Sequence, residues 1–117
     1  MKCEKLDVWK RACRLSVEVY AHFKESRDFS FKDQITRSSL SVASNIAEGM
    51  EKEYFKENIR FVEVAKGSTA ELITQIYIGI EISYIEKELG FTWVKEANEI
   101  LKMLNGLKKN LKSKENI

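Results

Sequence analysis

The stretch Asp33-Gln34-Ile35-Thr36-Arg37-Ser38-Ser39-Leu40-Ser41-Val42-Ala43-Ser44-Asn45-Ile46-Ala47-Glu48-Gly49 decides the fold. Ile35, Val42 and Ile46 recur at the repeat of one helix face. The small residues Ser38, Ser39, Ser41, Ala43, Ser44 and Ala47 lie between them, so a neighbouring helix can approach closely, and Gly49 supplies a stop. Upstream, Ser30 followed three residues later by Asp33 reads as a helix-start cap, with Phe29 as its staple and the helix beginning near Phe31.

The same period extends in both directions. Leu6, Trp9, Cys13, Val17, Tyr20 and Phe23 form a stripe that predicts a first helix from Lys5 to Lys24. Residues from Glu53 to Lys87 contain no turn cluster and read as one long helix of about 50 Å at ~1.5 Å per residue. Gly67 and Gly79 each cost that helix about 1 kcal/mol relative to Ala, which points to backbone packing at both. Leu72, Ile73, Ile76, Tyr77, Ile78, Ile80, Ile82, Tyr84 and Ile85 cover more than one stripe of it, so this helix is expected to be buried on two sides, partly against another subunit. Gly90 reads as its terminator and Thr92 as the next cap, followed by a stripe of Val94, Ala97, Leu101, Leu104, Leu107 and Leu111. The tail from Lys112 to Ile117 is expected to fray.

Short connections between four helices imply an all-α, up-down-up-down antiparallel four-helix bundle, with residues 1–117 forming one domain. Composition agrees: 117 residues, 44% hydrophobic, 32% charged, no proline and only five glycines disfavour β sandwiches and Gly-rich phosphate loops. The charged first residues and the absence of an apolar run near ~20 residues predict a cytoplasmic protein with no membrane association. Cys3 and Cys13, about 15 Å apart along a helix, read as free thiols.

The residues argue against an enzyme and against cofactors. A di-iron bundle uses Glu-x-x-His pairs, whereas His22 is the single histidine and Val19 precedes it by three. No CxxC pair supports zinc, so no metal ligands are assigned. Glu48, Glu63 and Glu71 read as surface or paired carboxylates, and no strand-turn-helix elbow supports a serine nucleophile beside His22. Gln34, Arg37, Ser41, Asn45 and Glu48 share a polar face of the second helix. With Glu71 they form an expected structural network that sets helix or subunit register.

The net charge of +2 is unevenly placed: residues 1–47 hold nine basic and six acidic side chains, residues 48–99 six and eleven, and residues 100–117 five and one. In an antiparallel bundle the first and last helices are neighbours. Lys5, Lys10, Arg11 and Arg14 are therefore expected to join Lys102, Lys108, Lys109 and Lys112 in one patch, with Lys10, Arg11, Arg14, Lys108, Lys109 and Lys112 as the phosphate contacts for RNA or DNA.

Ser41-Val42-Ala43-Ser44-Asn45-Ile46-Ala47-Glu48-Gly49, preceded by Asp33 through Arg37, resembles the signature of the bacterial four-helix bundle family encoded in 23S rRNA intervening sequences. The likeness extends to Leu6-Asp7-Val8-Trp9, Phe61 through Ala65, Gly67-Ser68, Ala70-Glu71-Leu72 and Met103-Leu104-Asn105-Gly106-Leu107. It implies a non-enzymatic bundle that assembles with itself into a closed ring, a homopentamer. It also implies similarity to the accessory protein of diversity-generating retroelements, which binds RNA and a reverse transcriptase; the alternative function is thus a scaffold docking a larger protein partner. Lys24 and Ala43 stand where relatives carry proline, which predicts a straighter second helix. Lys52 replaces an arginine common in relatives, weakening any bidentate phosphate contact.

Overall fold

The computed structural model describes residues 1–116, so of the expected frayed tail Ile117 lies outside the described residues. A 3₁₀ turn at Lys2–Lys5 leads into α1 (Asp7–Phe23), α2 (Phe29–Met50), α3 (Phe55–Glu81) and α4 (Lys87–Glu115). The described residues are all-α with no strand, packed as a rod of 50 × 21 × 21 Å. Each helix packs against its chain neighbour, and α1 also meets α4 along the thinnest of the four seams.

The first helix begins at Asp7 rather than Lys5, because Leu6 is extended at φ −81° and ψ 121°. Its core face coincides with the expected stripe only at Phe23, with Leu6, Trp9 and Cys13 half-buried at the core's edge. Val8, Ala12, Leu15, Val19 and Phe23 are buried, whereas Val17 and Tyr20 are exposed. Both sets have helical spacing, and the position of the neighbouring helices selects the first.

In α2 the cap is Asp28, not Ser30: its carboxylate accepts the Phe31 N–H at 3.1 Å. Phe29 is 70% exposed and is no staple. Ile35, Val42 and Ile46 are buried as expected. Gly49 sits one residue before the helix end with an ordinary backbone, and its role is close approach. A Cβ there would lie 2.7 Å from the Phe61 Cβ.

The third helix stops at Glu81, six residues before the expected end. Ser83 takes φ 65°, and the Tyr84 and Ile85 N–H groups both donate to the Gly79 carbonyl at 2.8 and 3.1 Å. Gly90 does not terminate this helix; it lies inside α4, buried against Ile80. Thr92 likewise is no cap, since its hydroxyl donates back to the Glu88 carbonyl at 3.0 Å. Of the two glycines expected to serve packing, Gly79 abuts Ile85, whereas a Cβ on Gly67 would meet nothing within 4 Å. Trp93 and Ile100 join Val94, Ala97, Leu104 and Leu111 in burying the inner face of α4, which is helical through Glu115. No described helix is long and apolar enough to cross a membrane.

Candidate nucleic-acid interface

The basic residues of α1 divide by helix angle. Lys10 and Arg14 face solvent, and Arg11 turns into the seam with α4. There its guanidinium grips Glu96 with a fork, Nε to Oε2 at 2.9 Å and Nη2 to Oε1 at 2.6 Å, while Nη1 reaches the Met103 sulfur at 3.6 Å. Such bidentate pairs are stronger than single contacts and fix orientation. The hydrogen bond from Arg11, then its charge, holds the Glu96 carboxyl below its ordinary range, and the same bond raises Arg11. One turn further along α4, the Trp93 indole N–H donates to Glu18 at 3.2 Å. Arg11, Arg14, Glu18, Trp93 and Glu96 line an open cleft of about 410 Å³.

Lys108 lies on the other flank of α4. Its ammonium reaches Glu63 of α3 at 2.7 Å, and Lys66 shares that carboxylate at 3.2 Å. Hydrogen bonds from Lys108 and then Lys66 keep Glu63 below the usual carboxylate range. At ~100° per residue, Lys108 is rotated roughly 120° from Glu96 about the helix axis. The six basic candidates therefore divide into Lys10, Arg11 and Arg14 on α1 or its seam, Lys108 on the α3 flank, and Lys109 and Lys112 exposed on α4. Arg11 and Lys108 are paired with carboxylates within the chain; Lys10, Arg14, Lys109 and Lys112 make no ion pair among the described residues.

The outward face of α4 holds a row in which Lys95, missed by the sequence reading, lines up with Lys102 and Lys109, all exposed. A step of seven residues returns nearly to the same helix angle after about 10.5 Å, so the three ammonium groups form a line. Among the described residues only Lys102 has a carboxylate partner, Glu99 at 3.8 Å, and that pair is solvent-exposed and weak. The seven-residue spacing was the available signal.

The polar face of α2 meets α3 through hydroxyls. Ser41 and Ser68 share a hydrogen bond at 2.9 Å, and the Asn45 amide donates to the Ser41 carbonyl and hydroxyl at 2.8 and 2.9 Å. The Ser38 hydroxyl donates to Glu71 at 2.8 Å. Gln34 and Glu48 are exposed and make no side-chain bond among the described residues, and Arg37 pairs with Asp33 on its own helix at 2.7 Å. Three further bonds went unread: the buried Ser16 and Ser39 hydroxyls meet at 3.0 Å, and the buried Asn58 amide donates to both the Gly49 and the Lys52 carbonyl at the α2–α3 corner. Among the described residues no three His, Cys, Asp or Glu side chains gather closely enough to hold a metal ion. Cys3 and Cys13 are free thiols, both raised above the ordinary range by burial.

The fold is similar to the crystal structure of a protein of unknown function from the S23 ribosomal protein family of Bacteroides thetaiotaomicron. The likeness has a TM-score of 0.81 at 24% identity and covers 87% of this chain and 98% of that one. No curated protein matches the sequence significantly. The family model described as 23S rRNA-intervening sequence protein matches residues 4–106, and the chain belongs to that family.

Proposed function

We propose that the protein is a non-enzymatic, cytoplasmic four-helix module that assembles with itself into a closed ring and binds nucleic-acid backbone through the outer face of α4. The row Lys95, Lys102 and Lys109 carries this reading. Three exposed ammonium groups in line suit successive phosphates, whose neutralisation releases counterions and drives binding with little sequence preference. In a ring each row is repeated, so modest contacts add through multivalency. Five copies is the number the family resemblance implies.

The up-down-up-down antiparallel arrangement is supported by cross-helix pairs that descend on one helix as they ascend on the other: Ser38 with Glu71, Ser41 with Ser68, Gly49 with Phe61. The non-enzymatic reading is supported by a family description that names no reaction. The pairing of Arg11 with Glu96 and of Lys108 with Glu63 supports it further, since these groups serve the fold.

Fluorescence anisotropy with a structured RNA and a duplex DNA tests the reading. Binding is expected at ~50 mM salt and should weaken steeply as salt rises, with the slope falling by about 0.9 for each phosphate contact removed. Replacing Lys95, Lys102 and Lys109 together by Glu should abolish it. No binding of either probe by the native chain at low salt overturns the nucleic-acid role.

A further inference from the structure

The α3–α4 corner carries an open cleft of about 620 Å³, within the size range of small-molecule sites. The buried Ile85 and half-buried Ile80 give it an apolar base, and Ser83, whose φ of 65° turns the chain, also lines it. Two aromatic rings form walls. Tyr77 of α3 and Phe91 of α4 meet edge to face, with centroids 6.1 Å apart and planes at 70°. They are 46% and 44% exposed, so the core does not account for either ring.

Three charged side chains line the cleft: Glu81 at the end of α3, Glu86 just before α4, and Lys87. All three are exposed and none makes an ion pair among the described residues, which leaves the lining one net negative charge. Glu88 and Lys95, one turn before and after Phe91 on α4, are of opposite sign and are not among the lining side chains. The C-terminus of α3 and the N-terminus of α4 meet here, so their opposite dipole ends offset as well.

Aromatic faces attract cations through the ring quadrupole, and the unpaired carboxylates act in the same direction. An anion would meet both as like charge, and a neutral apolar ligand would leave Glu81 and Glu86 unanswered. A divalent metal ion needs several oxygen ligands close together, and among the described residues no three His, Cys, Asp or Glu side chains gather in that way. An alkylated ammonium fits every wall, since it carries one positive charge beneath an apolar surface. We propose that this cleft is a binding site for a small organic cation, an alkylated ammonium whose methyl groups lie against Tyr77 and Phe91 and whose charge faces Glu81 and Glu86. The site is independent of the ring and of the nucleic-acid row proposed above.

Choline tests it by nuclear magnetic resonance on the intact chain. Titrated against sodium chloride at equal ionic strength, it should shift the amide resonances of residues 77–91 with a dissociation constant on the order of 1 mM. Neohexyl alcohol, its uncharged carbon isostere, should bind about tenfold more weakly. Phe91→Leu, which removes one ring at an exposed position, should weaken choline by about tenfold with native circular dichroism. Glu81→Gln/Glu86→Gln should weaken choline by a similar factor and leave the alcohol unchanged. Shifts absent from this corner at ~50 mM choline overturn the site. Equal binding of the alcohol overturns the cation and leaves an apolar hollow only, and native affinity in Phe91→Leu overturns the role of the rings. A trimethyllysine peptide that binds more than about a hundredfold tighter than choline assigns the cleft to a protein partner and overturns the small-ligand reading.

Discussion

Gly49 of α2 and Phe61 of α3 approach so closely that a Cβ on the glycine would lie 2.7 Å from the Phe61 Cβ. Gly49→Ala therefore sets an inherent helix gain of up to about 1 kcal/mol against a clash with a side chain fixed at its own Cβ. Overpacking of this kind costs about 1–3 kcal/mol, so the net effect is destabilising. Gly106→Ala, where nothing lies within 4 Å, should instead stabilise by roughly 0.5–1 kcal/mol. Urea midpoints of the two variants should move in opposite directions.

Asn58 joins the end of α2 to the start of α3 by donating to the Gly49 and Lys52 carbonyls from a buried position. Asn58→Ala leaves both acceptors without this partner and should cost about 1–3 kcal/mol. Asn58→Asp, which replaces the donor with an acceptor, should be no better. Thermal unfolding of the two variants against the native chain measures the effect.

Glu96 and Glu63 both have folded carboxyls held below the ordinary range by Arg11 and by Lys108 with Lys66. A depressed carboxyl stabilises the fold above its unfolded pKa of about 4.3 and loses that contribution as pH falls through the folded value. Melting temperature should hold steady from neutral pH to about 5 and drop below ~4. Glu96→Gln should lower stability at neutral pH and shrink the acid-side drop. An unchanged drop in the double variant Glu96→Gln/Glu63→Gln would place its origin elsewhere.

Arg11 and Lys108 should separate from the exposed lysines in their effects. Arg11→Ala and Lys108→Ala remove partners of Glu96 and Glu63 and should lower stability with little change in the salt slope of nucleic-acid binding. Lys102→Ala and Lys109→Ala should leave unfolding within about 0.5 kcal/mol of native and reduce that slope by roughly 0.9 each. Paired unfolding and anisotropy curves distinguish the two classes.

The four helices were legible because apolar residues at three- and four-residue steps are dense from Leu6 onward and no proline interrupts them. The α3–α4 corner was not. Gly90 carries the same signal whether it ends a helix or admits Ile80, and the residue that turns the chain, Ser83 at φ 65°, has no compositional mark. In α1 two stripes share the helical period, and only packing decides that Leu15 and Val19 go inward while Val17 and Tyr20 stay out. The basic patch was read from charge sums along the chain. Arg11–Glu96 and Lys108–Glu63 join residues distant in sequence, and which flank of α4 each partner meets depends on helix rotation that a sum over segments does not contain.

The thin seam between α1 and α4 has a kinetic meaning. The other three seams join helices adjacent in the chain across short connections, so each closes a small loop at little entropic cost. The fourth must bring the two ends of the chain together, with the fork of Arg11 on Glu96 as its main polar clasp. That seam is expected to part first on opening, and because α4 is held to α3 along the broadest seam, α1 should peel away first and the slowest amide exchange should lie in α2, α3 and α4.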